Sequence, residues 1–239
     1  MLILAMDSSA KCVSCAVCQD EALLGQYFQN SALTHSRTLL SMAESLLKNL
    51  DLAAEAIELI AVTSGPGSFT GVRIGVSAAK GLAWGLGIPV CGVSTLEAMA
   101  CQTPAMGVLT DSGIVLCPVM DARRGQVYNA LFEWKGDRPD RLCDDRAISL
   151  DELADELRGV APHCLLVGDG AAISFEKLSS AGISCQMAPP LLRWQTAYGA
   201  VLSALNAKSV PSTVLEPTYL RPSQAERARS ESVVSGPRR

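Results

Sequence analysis

The order of elements predicted for the first hundred residues restricts the fold more than any other feature of this sequence. Strands are predicted over 2–7, 12–18, 22–29, 58–63 and 88–93. Helices are predicted over about 35–50, over 71–86 and from Ser94 onward. Strands joined by tight turns pair antiparallel, whereas strands separated by a helix pair parallel. The sequence therefore predicts an α/β chain whose mixed sheet has helices on its faces.

A shorter copy of the opening pattern returns about halfway along the chain. The apolar segment Ile3–Asp7 is followed by four turn residues and a strand from Cys12. Cys117–Asp121 is likewise followed by four turn residues and a strand from Gln126, at an offset of 114 residues. This self-similarity predicts two lobes of one ancestral design, each with the element order of a ribonuclease H-like lobe.

The predicted domains follow from this repeat. The first lobe covers 1–105 and the second covers 106–222, with a turn-rich connection near residues 103–113. Elements of the second lobe are predicted as strands 126–133 and 164–167 and as helices 149–158, 170–181 and 194–207. Residues 223–239 are almost free of apolar side chains, which predicts a disordered tail.

Composition excludes several classes of protein. The content of 49% apolar residues is enough for a core, and the net charge of −4 argues against a dedicated nucleic-acid binder. The absence of an 18-residue apolar run and the early aspartate at position 7 predict a cytoplasmic protein without an export signal. Nine cysteines then favour reduced core thiols over disulfides. In a strand over 12–18, Cys15 would face away from Cys12 and Cys18, so these three thiols cannot converge on one metal.

The segment Ser64–Gly75 is a glycine-rich turn between a predicted buried strand and a helix. Such turns often hold phosphates at the helix N-terminus. The Walker pattern fails here, because Pro66 replaces its first glycine and Val72 replaces its lysine. Both a structural turn and a phosphate site remain open, and Gly67 and Ser68 are the candidate phosphate contacts.

Asp7 and Asp121 end equivalent strands of the two predicted lobes. Such aspartates can hold Mg²⁺ around nucleotide phosphates, with Ser8 as a neighbouring contact, or they can cap their own turns. The chain has only two histidines, and His35 is followed four residues later by Leu39, which leaves a paired-histidine metal helix incomplete. No G-x-S-x-G hydrolase motif occurs either.

The helices 35–50 and 71–86 combine a wide apolar stripe with many small residues. This pattern fits either a helical partner or close packing within the lobe. Ten residues on these helices are the partner-interface candidates. They are His35, Leu39, Met42, Ala43, Leu46, Arg73, Val76, Ala79, Lys80 and Ala83.

Four segments resemble the bacterial TsaB (YeaZ) family, whose members act in making N6-threonylcarbamoyladenosine beside the tRNA anticodon. These segments are Ile3–Ser9, Ser64–Ala98, Asp121–Tyr128 and Glu216–Arg221. The resemblance implies a two-lobed ASKHA-type fold, the architecture of sugar kinases, actin and Hsp70, built from tandem ribonuclease H-like lobes.

The resemblance also implies a role. It suggests a non-catalytic scaffold that binds a TsaD-like transferase through its first-lobe helices and acts with a TsaE-like ATPase. It further implies a homodimer when the chain is alone, tRNA contact only through the complex and no membrane. No metal or cofactor of its own is expected, and ATP or ADP and a metal are expected in the partners or at a shared interface. The alternatives are a nucleotide-dependent phosphotransferase or ATPase acting alone and a metalloprotease.

Overall fold

The computed structural model of the chain describes residues 1–31, 33–105, 114–135, 138–160, 163–190 and 192–221. The predicted tail 223–239 lies outside these residues. The lobe connection is predicted at 103–113, but 103–105 belong to a helix and 106–113 lie outside the described residues. In the described part of the chain, no helix is both long and apolar enough to cross a membrane.

The first half of the chain forms a five-stranded mixed sheet in the order β3-β2-β1-β4-β5. Its strands are β1 (Leu2–Asp7), β2 (Val13–Gln19), β3 (Ala22–Gln29), β4 (Leu59–Gly65) and β5 (Val90–Ser94). Its helices are α1 (His35–Asn49), α2 (Phe69–Leu86) and α3 (Thr95–Ala105). The first three strands pair antiparallel, and β4 and β5 run parallel to β1, as predicted.

The second half repeats this topology. Its strands are β6 (Val115–Arg123), β7 (Gln126–Asn129), β8 (Phe132–Trp134), β9 (Pro139–Arg141), β10 (Arg146–Ser149), β11 (Cys164–Val167) and β12 (Cys185–Met187). Its helices are α4 (Leu150–Val160), α5 (Ala171–Ser180) and α6 (Ala197–Ala204). The strand order β10-β7-β6-β11-β12 matches the first sheet strand for strand, with β8 and β9 added at the side. The two-lobed mixed α/β fold is therefore confirmed.

Some elements of the second half differ from the prediction. The strand predicted over 126–133 is interrupted, because β7 ends at Asn129 and β8 begins at Phe132. The strands β9, β10 and β12 were not predicted, since three or four residues are too few for a recognisable period.

The third helix of each half packs on the sheet of the other half. Leu96 and Met99 of α3 join Leu116 and Leu165 in the core of the second sheet. Conversely, α6 covers the first sheet, where Val201 packs with residues of β1, β2 and β5. The helix predicted over 194–207 falls within the predicted second lobe. The structure shows that this helix, α6, completes the core of the first lobe. This exchange occurs because α1 and α2 cover only one face of the first sheet, and the other face needs a helix.

The cysteines of β2 are core residues on opposite faces of the sheet. Cys15 packs under α1 and α2, and Cys18 packs under α6. All nine cysteines are free thiols. Burial raises the pKa of the Cys18 and Cys91 thiols to about 11, which keeps both protonated at neutral pH.

Candidate functional site

A cleft of about 750 Å³ lies between the two halves of the molecule. The β1–β2 turn and the β4–α2 loop form one wall, and the β6–β7 hairpin forms the opposite wall. Residues 218–221 complete the lining of the cleft. Equivalent turns of the two repeats thus face each other, as the duplicated topology requires.

The β4–α2 loop rests directly on the β1–β2 turn. A Cβ atom on Gly67 would come within 2.2 Å of the Ser9 carbonyl oxygen, and one on Gly71 within 2.1 Å of the Ser8 carbonyl oxygen. The Ser68 N–H donates to the Ser9 carbonyl at 2.6 Å, and its hydroxyl accepts from the Gly71 N–H at 3.2 Å to cap α2. This cap starts α2 at Phe69, two residues before the predicted start. Gly67 and Gly71 therefore allow the backbone of the loop to contact the backbone of the β1–β2 turn.

Asp7 lies beneath the cleft floor and is only 1% exposed. Its Oδ1 accepts from the Ser9 N–H at 2.8 Å and from the Ser9 hydroxyl at 2.7 Å. Its Oδ2 has no partner among the described residues. Burial raises the pKa of this carboxyl, and the two Ser9 hydrogen bonds oppose the shift without cancelling it. Asp7 thus caps its own turn.

Asp121, its counterpart in the repeat, is exposed in the cleft. It caps its own turn as well, since Oδ1 accepts from the Arg123 N–H at 2.7 Å. Its N–H donates to Asp169 Oδ1 at 3.2 Å. Burial raises the pKa of Asp169, and the negative charge of Asp121 raises it further. Asp121 and Asp169 thus place two neighbouring carboxyl groups in the cleft lining.

The β6–β7 hairpin projects two arginines in a conformation that L-residues rarely adopt. Arg123, Arg124 and Gly125 have φ values of 67°, 57° and 71°. Only the glycine takes this left-handed region without steric cost. Arg123 lines the cleft, and Arg124 is exposed beside it.

Residues 208–221, here called the C-terminal strap, run across the first lobe to the cleft. Val210 forms an isolated β-bridge with Val90, and the Thr218 N–H donates to the Ser64 carbonyl at 2.7 Å. The Lys80 ammonium donates to the Leu215 carbonyl at 2.8 Å. The strap thereby ties α2 to the cleft.

The end of the strap forms an aromatic and cationic cluster. The rings of Phe69 and Tyr219 stack with centroids 4.7 Å apart, and the Arg73 guanidinium lies 3.8 Å from the Phe69 centroid. Arg73 Nε donates to the Tyr219 hydroxyl at 2.7 Å. Arg221 donates to the Ala122 carbonyl of the second lobe. The strap thus links both sides of the cleft.

The structure divides the five nucleotide-contact candidates into two groups. Gly67, Ser68 and Asp121 line the cleft, whereas Asp7 and Ser8 are buried below it. Within the described residues, no group of three His, Cys, Asp or Glu side chains is placed to hold a metal.

Sequence reasoning missed most of the residues that line the cleft. Among them are Lys11, Asp169, Tyr219 and Arg221. Asp169 follows a buried strand in a Gly-Asp-Gly turn, which was a usable signal. Tyr219 and Arg221 belong to the segment Glu216–Arg221, which carries part of the family resemblance, although no local pattern indicated where that segment lies.

Six of the ten interface candidates are core residues of this chain, so their assignment to a partner surface is corrected. Each is 3% exposed or less and packs against the first sheet: Leu39, Ala43, Leu46, Val76, Ala79 and Ala83. The apolar stripe of the two helices packs against the first sheet. His35, Met42 and Lys80 are partly exposed and Arg73 is exposed. His35 Nε2 lies 2.7 Å from the Ala10 carbonyl oxygen, where an N–H would donate.

The outward faces of α1 and α2 carry other residues that a partner could contact. Leu40 on α1 is 48% exposed, and Trp84 on α2 is 77% exposed. Gly81 and Gly85 flank Trp84, and a Cβ atom on either would meet nothing within 4 Å. This face of α2 is therefore flat, apart from one large aromatic side chain.

Two lobes of matching topology around a cleft define an ASKHA-type protein. The model of the family "TsaD: tRNA N6-adenosine threonylcarbamoyltransferase" matches residues 29–188. The TsaB protein of Bacillus subtilis (strain 168) is 35% identical over 173 residues, which cover 72% of this chain and 73% of that protein. This chain belongs to the TsaB (YeaZ) family.

Two solved structures agree with this fold. YeaZ from Pseudomonas aeruginosa superposes with a TM-score of 0.73 at 21% identity, covering 92% of this chain and 99% of that one. A ROK hexokinase from Thermus thermophilus reaches a TM-score of 0.50 at 13% identity, covering 87% and 98%. The hexokinase likeness concerns the fold alone.

Proposed function

We propose that this chain is a non-catalytic subunit in the synthesis of threonylcarbamoyladenosine in tRNA. In this role it binds and activates a TsaD-like transferase, and a TsaE-like ATPase joins the assembly. The name of the B. subtilis relative, tRNA threonylcarbamoyladenosine biosynthesis protein TsaB, supports the process. The observation that carries the scaffold role is the exposed face of α1 and α2.

That face has the properties of a helix-docking surface. Each glycine inside a helix costs about 1 kcal/mol relative to alanine, and Gly81 and Gly85 have no neighbour in the described structure that requires them. Small residues let a second helix backbone come close, and an exposed Trp is a common anchor of protein interfaces. Trp84 and Leu40 would bury their apolar surface in such a contact.

The cleft residues support an accessory role. The loop before α2 carries Val72 where a Walker lysine would contact phosphate. The carboxylates of Asp7 and Asp121 are engaged by the N–H groups of their own turns. We therefore propose that the chain has no cofactor of its own, and that ATP or ADP and a metal belong to its partners or to a shared interface.

The remaining parts of the proposal concern the assembly. The chain would form a homodimer when its transferase is absent, through the same helices. It would meet tRNA only in the complex and act in the cytoplasm. Calorimetry on the isolated chain should show no ATP binding, and measurable binding lost in Asp7→Ala would favour a phosphotransferase.

Charged substitutions on the exposed helix face test the scaffold role. Wild-type protein mixed with its cognate transferase should form a heteromer and start tRNA modification. Trp84→Glu and Leu40→Glu should abolish both, because a carboxylate would be buried in the interface. The matched control is Ile173→Glu on α5, the second-lobe counterpart of α2, where Ile173 is 38% exposed.

Two outcomes would contradict the proposal. A transferase that modifies tRNA at full rate alone needs no such subunit. Unchanged complex formation by Trp84→Glu would place the interface elsewhere. Circular dichroism of each variant checks that the fold is retained.

A further inference from the structure

We infer that the mouth of the cleft is a contact surface for an unpaired strand of RNA. The mouth is defined by Lys11, Phe69, Arg73, Arg123, Tyr219 and Arg221. This inference rests on the proposed function, because we expect this surface to bind RNA tightly only when the chain is in complex with its transferase.

The cations of the mouth are not used in ion pairs within the described structure. Among the described residues, five lysine and arginine side chains form ion pairs, and none of them belongs to the mouth. They are Lys135, Arg141, Arg146, Arg158 and Lys177. The cleft lining therefore presents Lys11, Arg123 and Arg221 on a chain whose net charge is −4. Unpaired lysines and arginines are the groups that bind backbone phosphates.

The aromatic cluster provides a surface on which an RNA base can stack. Tyr219 is 40% exposed and stacks on Phe69, and the Arg73 guanidinium holds it in place through its hydroxyl. Unpaired bases stack on aromatic rings and on guanidinium planes, and this contact does not depend on the sequence.

The distribution of charge favours a strand over a free nucleotide. The cleft lining carries the carboxyl groups of Asp121 and Asp169 together with the cations Lys11, Arg123 and Arg221. A nucleotide held inside the cleft would bring its phosphates to these carboxylates. A strand lying across the mouth keeps its phosphates against the cations and directs a base toward Tyr219.

The β6–β7 hairpin is the second contact of the mouth. Its two arginines lie side by side in left-handed conformations that glycine would accept more easily. Asp121 caps the turn and fixes this conformation. The hairpin therefore holds Arg123 in the cleft lining, with Arg124 exposed next to it in sequence, at a conformational cost.

The test measures RNA binding by the full chain in complex with its cognate transferase. Fluorescence anisotropy with a labelled anticodon stem-loop gives the dissociation constant at several salt concentrations. Arg123→Gln combined with Arg124→Gln should weaken binding about fivefold or more and flatten the salt slope by about 0.7 for each phosphate that is no longer neutralised. Tyr219→Leu should weaken binding about fivefold or more, and Tyr219→Phe should restore it because the stacking ring remains.

The control is Arg158→Gln on α4, which removes a positive charge from a residue that does not line the cleft. It should bind RNA as wild type does. Thermal unfolding of each variant checks that it is folded. If Tyr219→Leu does not fold, the double variant Arg123→Gln, Arg124→Gln is sufficient to test the inference.

The outcomes separate this inference from the proposed function. If the complex forms but the hairpin and Tyr219→Leu variants bind RNA like wild type, the RNA surface is overturned and the scaffold role stands. If no complex forms in a pull-down before RNA is added, the proposed function fails first. If ATP displaces the RNA and the same variants lose ATP affinity, the mouth holds a free nucleotide and the RNA assignment is wrong.

Discussion

Asp7 and Asp121 occupy the same place in the two repeats, but their surroundings differ. Each caps its own turn through an N–H group two residues later. Asp7 is buried under the β4–α2 loop, whereas Asp121 lies at the surface of the cleft. The sequence identified both aspartates as a pair, and only the packing around them separated their environments.

Asp7→Asn should stabilise the protein, and the gain should increase with pH. Burial raises the pKa of Asp7 in the folded state above its ordinary value of 3.8. As the pH rises through that raised pKa, the folded wild type must ionise a buried carboxyl and loses stability. Asparagine keeps an oxygen acceptor for Ser9 and cannot ionise. The thermal midpoint of Asp7→Asn relative to wild type should therefore rise as the pH increases from 3.8 through the raised pKa of the folded state, and then level off.

The control for Asp7→Asn is Asp144→Asn, which removes the same charge from an exposed position. Its midpoint relative to wild type should change little over that range. A difference for Asp7→Asn that shrank with rising pH would contradict this prediction, because it would mean that the folded state favours the ionised carboxylate.

At the scale of elements, the glycines of α2 lie in two different environments. Its first turn rests on the β1–β2 turn through Gly71, and its outward face is flat at Gly81. The sequence showed the small residues of this helix but could not divide them between internal packing and a partner. Internal packing accounts for Gly71, whereas a partner contact at Gly81 is part of the proposed function.

Alanine substitutions at these two glycines should have opposite effects. Gly71→Ala would place a Cβ atom 2.1 Å from the Ser8 carbonyl oxygen, so we expect a loss of about 1–3 kcal/mol. Gly81→Ala meets nothing within 4 Å and should gain about 0.5–1 kcal/mol through helix propensity. Urea unfolding of the two variants measures both changes. Stabilisation by Gly71→Ala would show that the loop can move away from the turn.

At the scale of the whole molecule, the exchanged helices couple the two lobes. The α3 and α6 helices pack against each other at the centre, and Gly199 of α6 faces the Ala98 carbonyl of α3. Glu97 of α3 adds an ion pair with Arg141 of β9 and accepts a hydrogen bond from Ser203 of α6. Neither lobe therefore has a complete core without the other.

Gly199→Ala should weaken this coupling more than an ordinary glycine substitution would. The new Cβ atom would lie 2.3 Å from the Ala98 carbonyl oxygen and force α3 and α6 apart. We expect a loss of about 1–3 kcal/mol and a broader transition in calorimetry, since the lobes would unfold less cooperatively. Gly159→Ala on α4, where a Cβ atom meets nothing within 4 Å, is the control and should not broaden the transition. A sharp, unshifted transition for Gly199→Ala would contradict the coupling.

The sequence by itself determined the secondary structure of the first lobe, the duplication and the family. These follow from local signals: apolar periodicity, turn residues and short motifs such as Ile3–Ser9. It also named Gly67, Ser68 and Asp121 as candidate nucleotide contacts, and all three line the cleft.

Only the tertiary structure decided which residues face inward and which elements meet across the cleft. Leu39 and Ala79 were indistinguishable from partner contacts by pattern alone, because the sheet that covers them is formed by distant segments. The placement of α6 on the first sheet and of Tyr219 beside Phe69 depends on contacts between residues more than a hundred positions apart. Such contacts leave no local period in the sequence, because burial is a property of the assembled layers and not of any one element.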